Sequence, residues 1–353
     1  MVKGSNRNIN LDLIRIIAIF SVISVHFFLY IGFYDMPVSE KNMIIMTYLR
    51  NIFMVCVPLF LVLTGYLFGD KKPTKKYYLK LDKIIFIYII SWLFYTCFKT
   101  IYFNSSYNLL ENIKLLLDYS WAWYVEMYIG LYILAPFLNI VYNNLESKKN
   151  KKILLASFLL LTCMPSIFNI KTSIVIDYWV PLWPITYYFI GRYLKEYGFK
   201  ISTLKNIILL LISFLIFGSI NLYFSYGKTF IWGIYNDWHS LQCVITTVLT
   251  FILILNLNLE KLPIFIKKVI NKISILSFGM YLNSIIFDTI FYNILKSKVS
   301  SVDDRLIWYF VMVLSVFVSS MILSQIIEWF RKIFIYFHKN VYKKYERKFL
   351  DEK

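Results

Sequence analysis

Residues 11–30, LDLIRIIAIFSVISVHFFLY, form an almost wholly apolar run that indicates the fold class of this chain. A helix of this length, at about 1.5 Å per residue, crosses a hydrocarbon core of roughly 30 Å. The run is too long for the apolar region of a signal peptide, and no small-residue cleavage site follows it. We therefore predict that it is the first transmembrane helix of the mature protein.

Comparable apolar runs recur along the whole chain, which is 59% hydrophobic and only 16% charged. This composition is far from that of soluble domains. We predict an all-α, polytopic membrane protein of about ten transmembrane helices, forming one domain over residues 1–353 with a basic tail at about 331–353. The spans are predicted at about 10–33, 43–68, 83–103, 121–143, 153–170, 177–196, 205–226, 239–258, 273–295 and 306–330.

Lysine and arginine set the predicted orientation. With the N-terminus inside, the cytoplasmic segments hold 28 of these residues and the external loops hold 7. Both termini are therefore predicted to be cytoplasmic. The net charge of +18 is spread over every inner loop. Topology and contact with anionic membrane lipids explain it, and no nucleic-acid partner is expected.

Neither disulfide nor metal chemistry is expected. The four cysteines fall inside predicted spans, and none pairs in a CxxC spacing. The three histidines lie far apart, without HExxH or a related ligand spacing.

The first span carries three ionisable side chains, Asp12, Arg15 and His26. Such groups cost about 2.5–3.5 kcal/mol each on insertion scales. At about 100° per residue, Arg15 and His26 point from one face, roughly 16 Å apart along the helix axis. Arg15 can be an inner anchor paired with Asp12, and His26 can be an interhelical hydrogen-bonding residue. Alternatively, the imidazole can take a proton from a hydroxyl and return it near neutral pH, as acyl transfer to an alcohol requires.

Two further charges lie in the outer half of other predicted spans, Arg50 in span two and Glu126 in span four. Glu126 is at a depth comparable to that of His26. It can orient and charge-stabilise the imidazole, or it can form a structural ion pair with Arg50. Lys99 and Asp288 are also outer-half charges, and we predict that they are interfacial rather than catalytic.

The inner loop GDKKPTKKYYLKLDK, residues 69–83, carries six lysines, among them Lys80 and Lys83. It is the strongest topology signal in the chain. It can also form, with Arg15 and Arg192, a basic vestibule for a polyanionic cytosolic ligand such as a nucleotide-linked acyl donor.

Aromatic side chains are concentrated where the spans meet the outside, and an interfacial belt explains most of them. Trp and Tyr rings also stack on sugar rings. Trp121 and Trp123, with Tyr124 beside them, are therefore candidates for structural or acceptor-side residues.

Taken together, four segments resemble the acyltransferase-3 family of bacterial membrane acyltransferases, over nearly the whole chain. In NINLDLIRIIAIFSVISVH, Arg15 and His26 have the family spacing of ten intervening residues. VPLFLVLTGYLF is similar to a second family segment. A basic stretch follows it, where Lys80 and Lys83 replace arginines that the family often has. Lysine lacks the fork-shaped side chain that binds phosphate in two places.

The other two segments lie later in the chain. WYVEMYIGLYILAPFL resembles a Trp, Gly-Leu-Tyr and Pro segment, and a second register, beginning at Trp121, aligns Glu126 with a family glutamate. ISILSFGMYLNSIIFD resembles a late family helix in which Asn283 replaces a histidine. Asparagine can form hydrogen bonds but cannot titrate, so Asn283 cannot supply acid–base chemistry.

The resemblance implies a membrane O-acyltransferase in the bacterial plasma membrane. Its donor would be acetyl-CoA or another acyl-CoA on the cytoplasmic side, and its acceptor a sugar hydroxyl on an exported or lipid-linked glycan. Arg15 and the inner-loop lysines would bind the donor phosphates. His26 would act as general base or carry the acyl group, and Glu126 would orient His26 or balance Arg50. Whether the chain forms a homo-oligomer stays open.

A rival interpretation is a transporter or flippase in which His26, Arg50 and Glu126 form a relay near the midplane. Paired broken helices at symmetric positions would support it, and the sequence does not show them. A structural scaffold in a glycan-synthesis complex is a third interpretation, but it does not explain why ionisable residues lie inside spans one, two and four.

Overall fold

The structure is a computed structural model that describes residues 7–104, 114, 119–170 and 172–351, with side chains described except at 119–120 and 337–351. Most of the predicted basic tail therefore lies outside the described side chains. The described part is built from α-helices joined by short loops and contains no β-strand. The helices are α1 (Ile9–Tyr30), α2 (Lys41–Phe53), α3 (Cys56–Phe68), α4 (Lys75–Tyr78), α5 (Leu81–Phe103), α6 (Trp123–Asn143), α7 (Lys148–Thr162), α8 (Pro165–Phe168), α9 (Trp183–Tyr197), α10 (Thr203–Ser225), α11 (Leu241–Leu255), α12 (Ile264–Lys298) and α13 (Tyr309–Asp351).

The predicted all-α, polytopic membrane fold is confirmed. In the described part, eight helical segments are long and apolar enough to cross a membrane. They correspond to eight of the ten predicted spans. The second of these segments is interrupted between α2 and α3, and the third between α4 and α5.

The two remaining predicted spans are shorter than a full crossing. They are the 15-residue helices α9 and α11. α9 follows a short 3-10 turn that contains Pro181, has Pro184 in its own first turn, and ends at Gly198, whose φ is +63°. Proline is favoured in the first turn of a helix, and glycine with positive φ just after its end.

The central helix is α1, which packs against α2, α3, α11, α12 and α13. Its first turn is joined to the end of α11, because the Asn10 side chain donates hydrogen bonds to the carbonyls of Ile254 and Leu257, each at 2.8 Å. These carbonyls lie at and just past the end of α11, where the bonds from Asn10 add to those from the amides of Leu257 and Leu259. α1 and α12 run parallel, since contacts of Asp12 with α12 lie at one end and those of His26 at the other. We call the end with Asp12, which is predicted to be cytoplasmic, the inner end.

Helices α3 and α9 cross with their backbones in contact. A Cβ atom on Gly65 would lie 2.0 Å from the carbonyl oxygen of Tyr188, and one on Gly191 would lie 2.0 Å from the carbonyl oxygen of Val62. Glycine at both positions therefore permits the crossing, as small residues do between membrane helices.

This crossing generates a test of the packing. We expect Gly191→Ala to lower the unfolding free energy by about 1–3 kcal/mol, because the added methyl group must separate two backbones. Gly130→Ala is the matched control: a Cβ there meets no atom within 4 Å, and alanine favours a helix over glycine by up to about 1 kcal/mol. Thermal unfolding of the detergent-solubilised protein measures both. Equal melting temperatures for Gly191→Ala and Gly130→Ala would contradict the close crossing.

Candidate active site

A cavity of about 330 Å³ opens at the inner end between α1, α3, α5, α6 and α12. We call it the membrane cavity. Its basic mouth is formed by Arg7, Arg15 and Lys83, and its far wall includes Tyr124 and Tyr281. Most of the remaining lining is apolar. This lining suits a ligand with an anionic end and a less polar remainder.

One buried carboxylate organises the mouth of the membrane cavity. Asp12 is only 2% exposed. Its oxygens accept hydrogen bonds from both Nε and Nη2 of Arg7, at 2.8 and 2.7 Å, and from Nη1 of Arg15 at 3.0 Å. From α12, Ser274 donates at 2.7 Å and Asn271 at 3.2 Å. The predicted Asp12–Arg15 pair is therefore present, within a larger network that holds two arginines together.

The other three predicted donor-binding residues do not lie together. Lys83 lines the membrane cavity, whereas Lys80 is exposed and is not among the lining residues. Arg192 was placed in the vestibule by its predicted position, but its guanidinium packs against Gly69 and donates to Oδ1 of Asn143 at 2.9 Å. Arg192 is therefore a buried packing residue between helices. The reason is that α9 lies against α3 and α6, away from the cavity mouth.

Arg7 was missed from the sequence. It precedes α1, in the polar stretch NRNIN that runs into the first residues of this helix. Its spacing of five residues from Asp12 was the available signal, because the chain before a helix can fold back over the first turn.

At the outer end of the same helix pair, Nδ1 of His26 lies 2.8 Å from Oδ2 of Asp288. Asp288 is fully buried on α12, and the side chain of His26 is 24% exposed. When Asp288 is ionised its carboxylate can only accept, an arrangement that puts the imidazole proton on Nδ1 and leaves the Nε2 lone pair available. No described residue forms a hydrogen bond with Nε2. This arrangement is that of an imidazole oriented to act as a base.

The pair corrects two expectations. Asp288 was predicted to be interfacial, yet it supplies the buried carboxylate beside His26. Glu126 was predicted to orient His26 or to pair with Arg50. Its side chain is exposed, and among the described residues it forms no hydrogen bond or ion pair. A comparable depth in the membrane did not place Glu126 on the facing side of its helix.

Arg50 is fully buried without a carboxylate partner among the described residues. Its Nε donates to the hydroxyl of Tyr34 at 2.8 Å. The guanidinium carbon lies 4.5 Å from the centre of the Phe230 ring and 4.6 Å from that of Trp232. Aromatic faces attract a guanidinium. The loop after α10 supplies both rings, and a hydrogen bond from the Val38 amide to the Lys228 carbonyl holds this loop in place.

The predicted acceptor-side residues occupy different places. Trp121 is stacked between Tyr88 and Tyr95, with ring centres 5.2 and 5.3 Å away. Trp123 is partly exposed and packs on Trp238 at 4.8 Å.

Tyr124 lies in the wall of the membrane cavity instead of the outer surface, because its backbone amide donates to the Tyr281 hydroxyl. Asn283 is fully buried and donates to Ser324 at 3.1 Å, which joins α12 to α13. Its position is structural.

An outer cavity of about 350 Å³ lies near the outer end of α1, and neither His26 nor Asp288 is among its lining residues. Tyr30, Asp35 and Lys296 are among its lining residues. The Tyr30 ring connects this cavity to the pair, because it contacts the His26 ring and stacks on Tyr292 at 5.7 Å. The predicted external side therefore has a cavity that is separated from the imidazole by the Tyr30 ring.

In the described residues, no group of three or more His, Cys, Asp and Glu side chains could hold a metal ion.

Comparison with known protein families yields one match. A family model of an acyltransferase domain, acyltransferase-3, matches residues 8–328. No curated protein and no solved structure matches the chain. The matched region includes Asp12, Arg15, His26 and Asp288.

The Asp12 network generates a prediction about stability. Asp12→Ala removes the acceptor shared by four side chains, and we expect the unfolding free energy to fall by about 2 kcal/mol. Asp70→Asn is the control, since Asp70 is an exposed acid on the same inner side. Chemical unfolding in detergent, followed by tryptophan fluorescence, gives both values. Equal midpoints for the two variants would show that Asp12 does not hold the mouth together.

Proposed function

Because the chain belongs to the acyltransferase-3 family, we propose that this membrane acyltransferase moves an acetyl or similar acyl group from acyl-CoA to a glycan hydroxyl. The donor binds on the cytoplasmic side. The acceptor is a sugar of an exported or cell-envelope glycan, and the membrane is the bacterial plasma membrane. One observation carries the proposal: a basic inner cavity and an oriented imidazole lie at opposite ends of the same helix pair, α1 and α12.

The membrane cavity suits an acyl-CoA. Its phosphates are polyanionic, and Arg7, Arg15 and Lys83 surround the mouth. Arg7 has its Nε and Nη2 groups on Asp12, so it offers phosphate its Nη1 group, and Lys83 binds phosphate as a point charge. The pantetheine arm is long and thin, and the apolar interior of the cavity leads from these cations toward Tyr281. Tyr281 precedes Asp288 by two helical turns, or about 10 Å.

His26 then performs the proton transfer. The acceptor oxygen attacks the thioester carbonyl carbon while its proton passes to Nε2, and the C–S bond breaks when the tetrahedral intermediate collapses. The proton leaves with the CoA thiol, which regenerates the neutral imidazole. Asp288 stabilises the imidazolium formed in between. Alternatively, Nε2 attacks the thioester carbon and the C–S bond breaks to release the CoA thiolate. The acceptor oxygen then attacks the acyl carbon, the C–N bond breaks, and the acceptor proton passes to the thiolate.

Acceptor binding is assigned to the external side. Tyr30 bounds the outer cavity beside His26, and Asp35 and Lys296 give it polar groups that can bind sugar hydroxyls. Trp123, which is partly exposed, adds an aromatic ring, whereas Trp121 is already stacked between Tyr88 and Tyr95. Aromatic faces suit the apolar face of a sugar ring.

The function is tested by the acyl content of surface polysaccharide, measured by NMR on cells with the wild-type chain, a deletion or His26→Ala at normal membrane levels. Loss of O-acetyl groups in both mutants supports the proposal. If the polysaccharide stays fully acetylated but fails to reach the surface, the acyltransferase proposal is wrong and the transporter interpretation takes its place.

The role of Asp288 gives a sharper prediction. Asp288→Asn keeps the size of the side chain but removes the charge that stabilises the imidazolium, so we expect kcat to fall about 100-fold or more with little change in KM for acyl-CoA. Asp304→Asn, an exposed external acid, is the control and should keep wild-type kcat. Steady-state kinetics of the purified enzyme measure both constants. A wild-type kcat for Asp288→Asn would remove the pair from the mechanism.

A further inference from the structure

A second cavity, of about 640 Å³, lies at the inner end of the helix pair α1 and α12, outside the apolar part of α1. We call it the cytoplasmic cavity. It is bounded by the residues that lead into α1 and by the first turns of α12, including Lys267, Lys268 and Asn271. Nothing in the proposed acyl transfer uses the two lysines.

The cytoplasmic cavity and the membrane cavity share one wall. Arg7 lines both of them. Its bidentate bond to Asp12 holds the guanidinium at this boundary. Asn271 is held at the same place, because its side-chain amide donates to Asp12 at 3.2 Å. A single ligand that passes Arg7 can therefore extend into both cavities.

The position of the lysines follows from the length of α12. This helix begins at Ile264, although the predicted membrane span began only at about 273. Its first turns therefore project beyond the membrane, by roughly 13 Å at about 1.5 Å per residue. No side chain caps the N-terminus of α12, so its free amide groups add positive potential to that of Lys267 and Lys268.

The charges of the cytoplasmic cavity favour an anion. Arg7, Lys267 and Lys268 are cationic, and two carboxylates, Asp12 and Glu260, oppose them. Asp12 is already neutralised by Arg7 and Arg15. Glu260 remains, and the Lys267 ammonium donates to its backbone carbonyl.

We infer that the cytoplasmic cavity binds the phosphorylated adenosine end of the acyl-CoA, while the membrane cavity holds the pantetheine arm. This inference rests on the proposed function for the identity of the donor. Lys267 and Lys268 contact the phosphates on the nucleotide, and Arg7 contacts the diphosphate where the ligand enters the membrane cavity. The donor is thereby recognised at two separate places along its length.

The test compares three probes: CoA, 4′-phosphopantetheine, which lacks the nucleotide, and adenosine 3′,5′-bisphosphate, which lacks the arm. Binding is measured by calorimetry on the full chain in nanodiscs. For the double variant Lys267→Gln/Lys268→Gln we expect about tenfold weaker binding of CoA and of adenosine 3′,5′-bisphosphate. Binding of 4′-phosphopantetheine should be unchanged. Charge-assisted bonds to phosphate are lost only where the nucleotide is present.

The matched control is Lys205→Gln/Lys272→Gln, which removes the same charge from exposed inner positions outside both cavities. It should bind all three probes like the wild type. Glu260→Gln removes the opposing carboxylate and should tighten CoA binding by a few fold.

The outcomes separate the two proposals. Equal losses of CoA affinity in both lysine double variants would overturn the nucleotide site, because only general charge would then matter. A wild type that binds adenosine 3′,5′-bisphosphate in a Lys267- and Lys268-dependent way, but transfers no acyl group from any acyl-CoA, would keep the nucleotide site and overturn the proposed function. A wild type that binds none of the three probes would overturn both.

Discussion

The buried carboxylate of Asp12 is the constraint on which the rest of the structure depends. A carboxylate at the inner edge of a membrane helix is stable only when its charge and its lone pairs are satisfied. Here Arg7 and Arg15 supply the charge, and Ser274 and Asn271 on α12 supply further donors. Because these partners come from both helices, the network holds α1 and α12 in parallel at one axial register. That register places His26 opposite Asp288 at the other end.

The two ends of this helix pair differ in chemistry because the bilayer separates them. The inner end, which is predicted to be cytoplasmic, presents cations, whereas the outer end has an imidazole, a buried carboxylate and aromatic rings. Arg15 and His26 lie roughly 16 Å apart along the helix, about half of the hydrocarbon thickness. The membrane cavity covers the inner part of this distance and ends near Tyr281. An acyl group carried on a thin arm can therefore approach an external acceptor while its charged end remains at the inner surface.

Much of the fold was predictable, because apolar runs and basic loops report directly on a bilayer. The helical spacing also placed Arg15 and His26 on one face of α1. Partners between helices were not predictable, since depth along a span is read from the sequence but rotation toward a neighbour is set by packing. Glu126 and Asp288 are both outer-half acids, and only Asp288 faces His26. The guanidinium of Arg50 packs on aromatic rings from a loop that is distant in sequence, a contact that no local sequence pattern predicts.

We propose that the acyl group passes from a donor held at the inner end of α1 to an acceptor at its outer end. Proteoliposomes with the N-terminus facing the lumen test this transfer, with labelled acyl-CoA sealed inside and the acceptor glycan supplied only outside. We expect labelled glycan outside the vesicles, and none when His26 is replaced by alanine. Product that forms only when donor and acceptor share one compartment would contradict it.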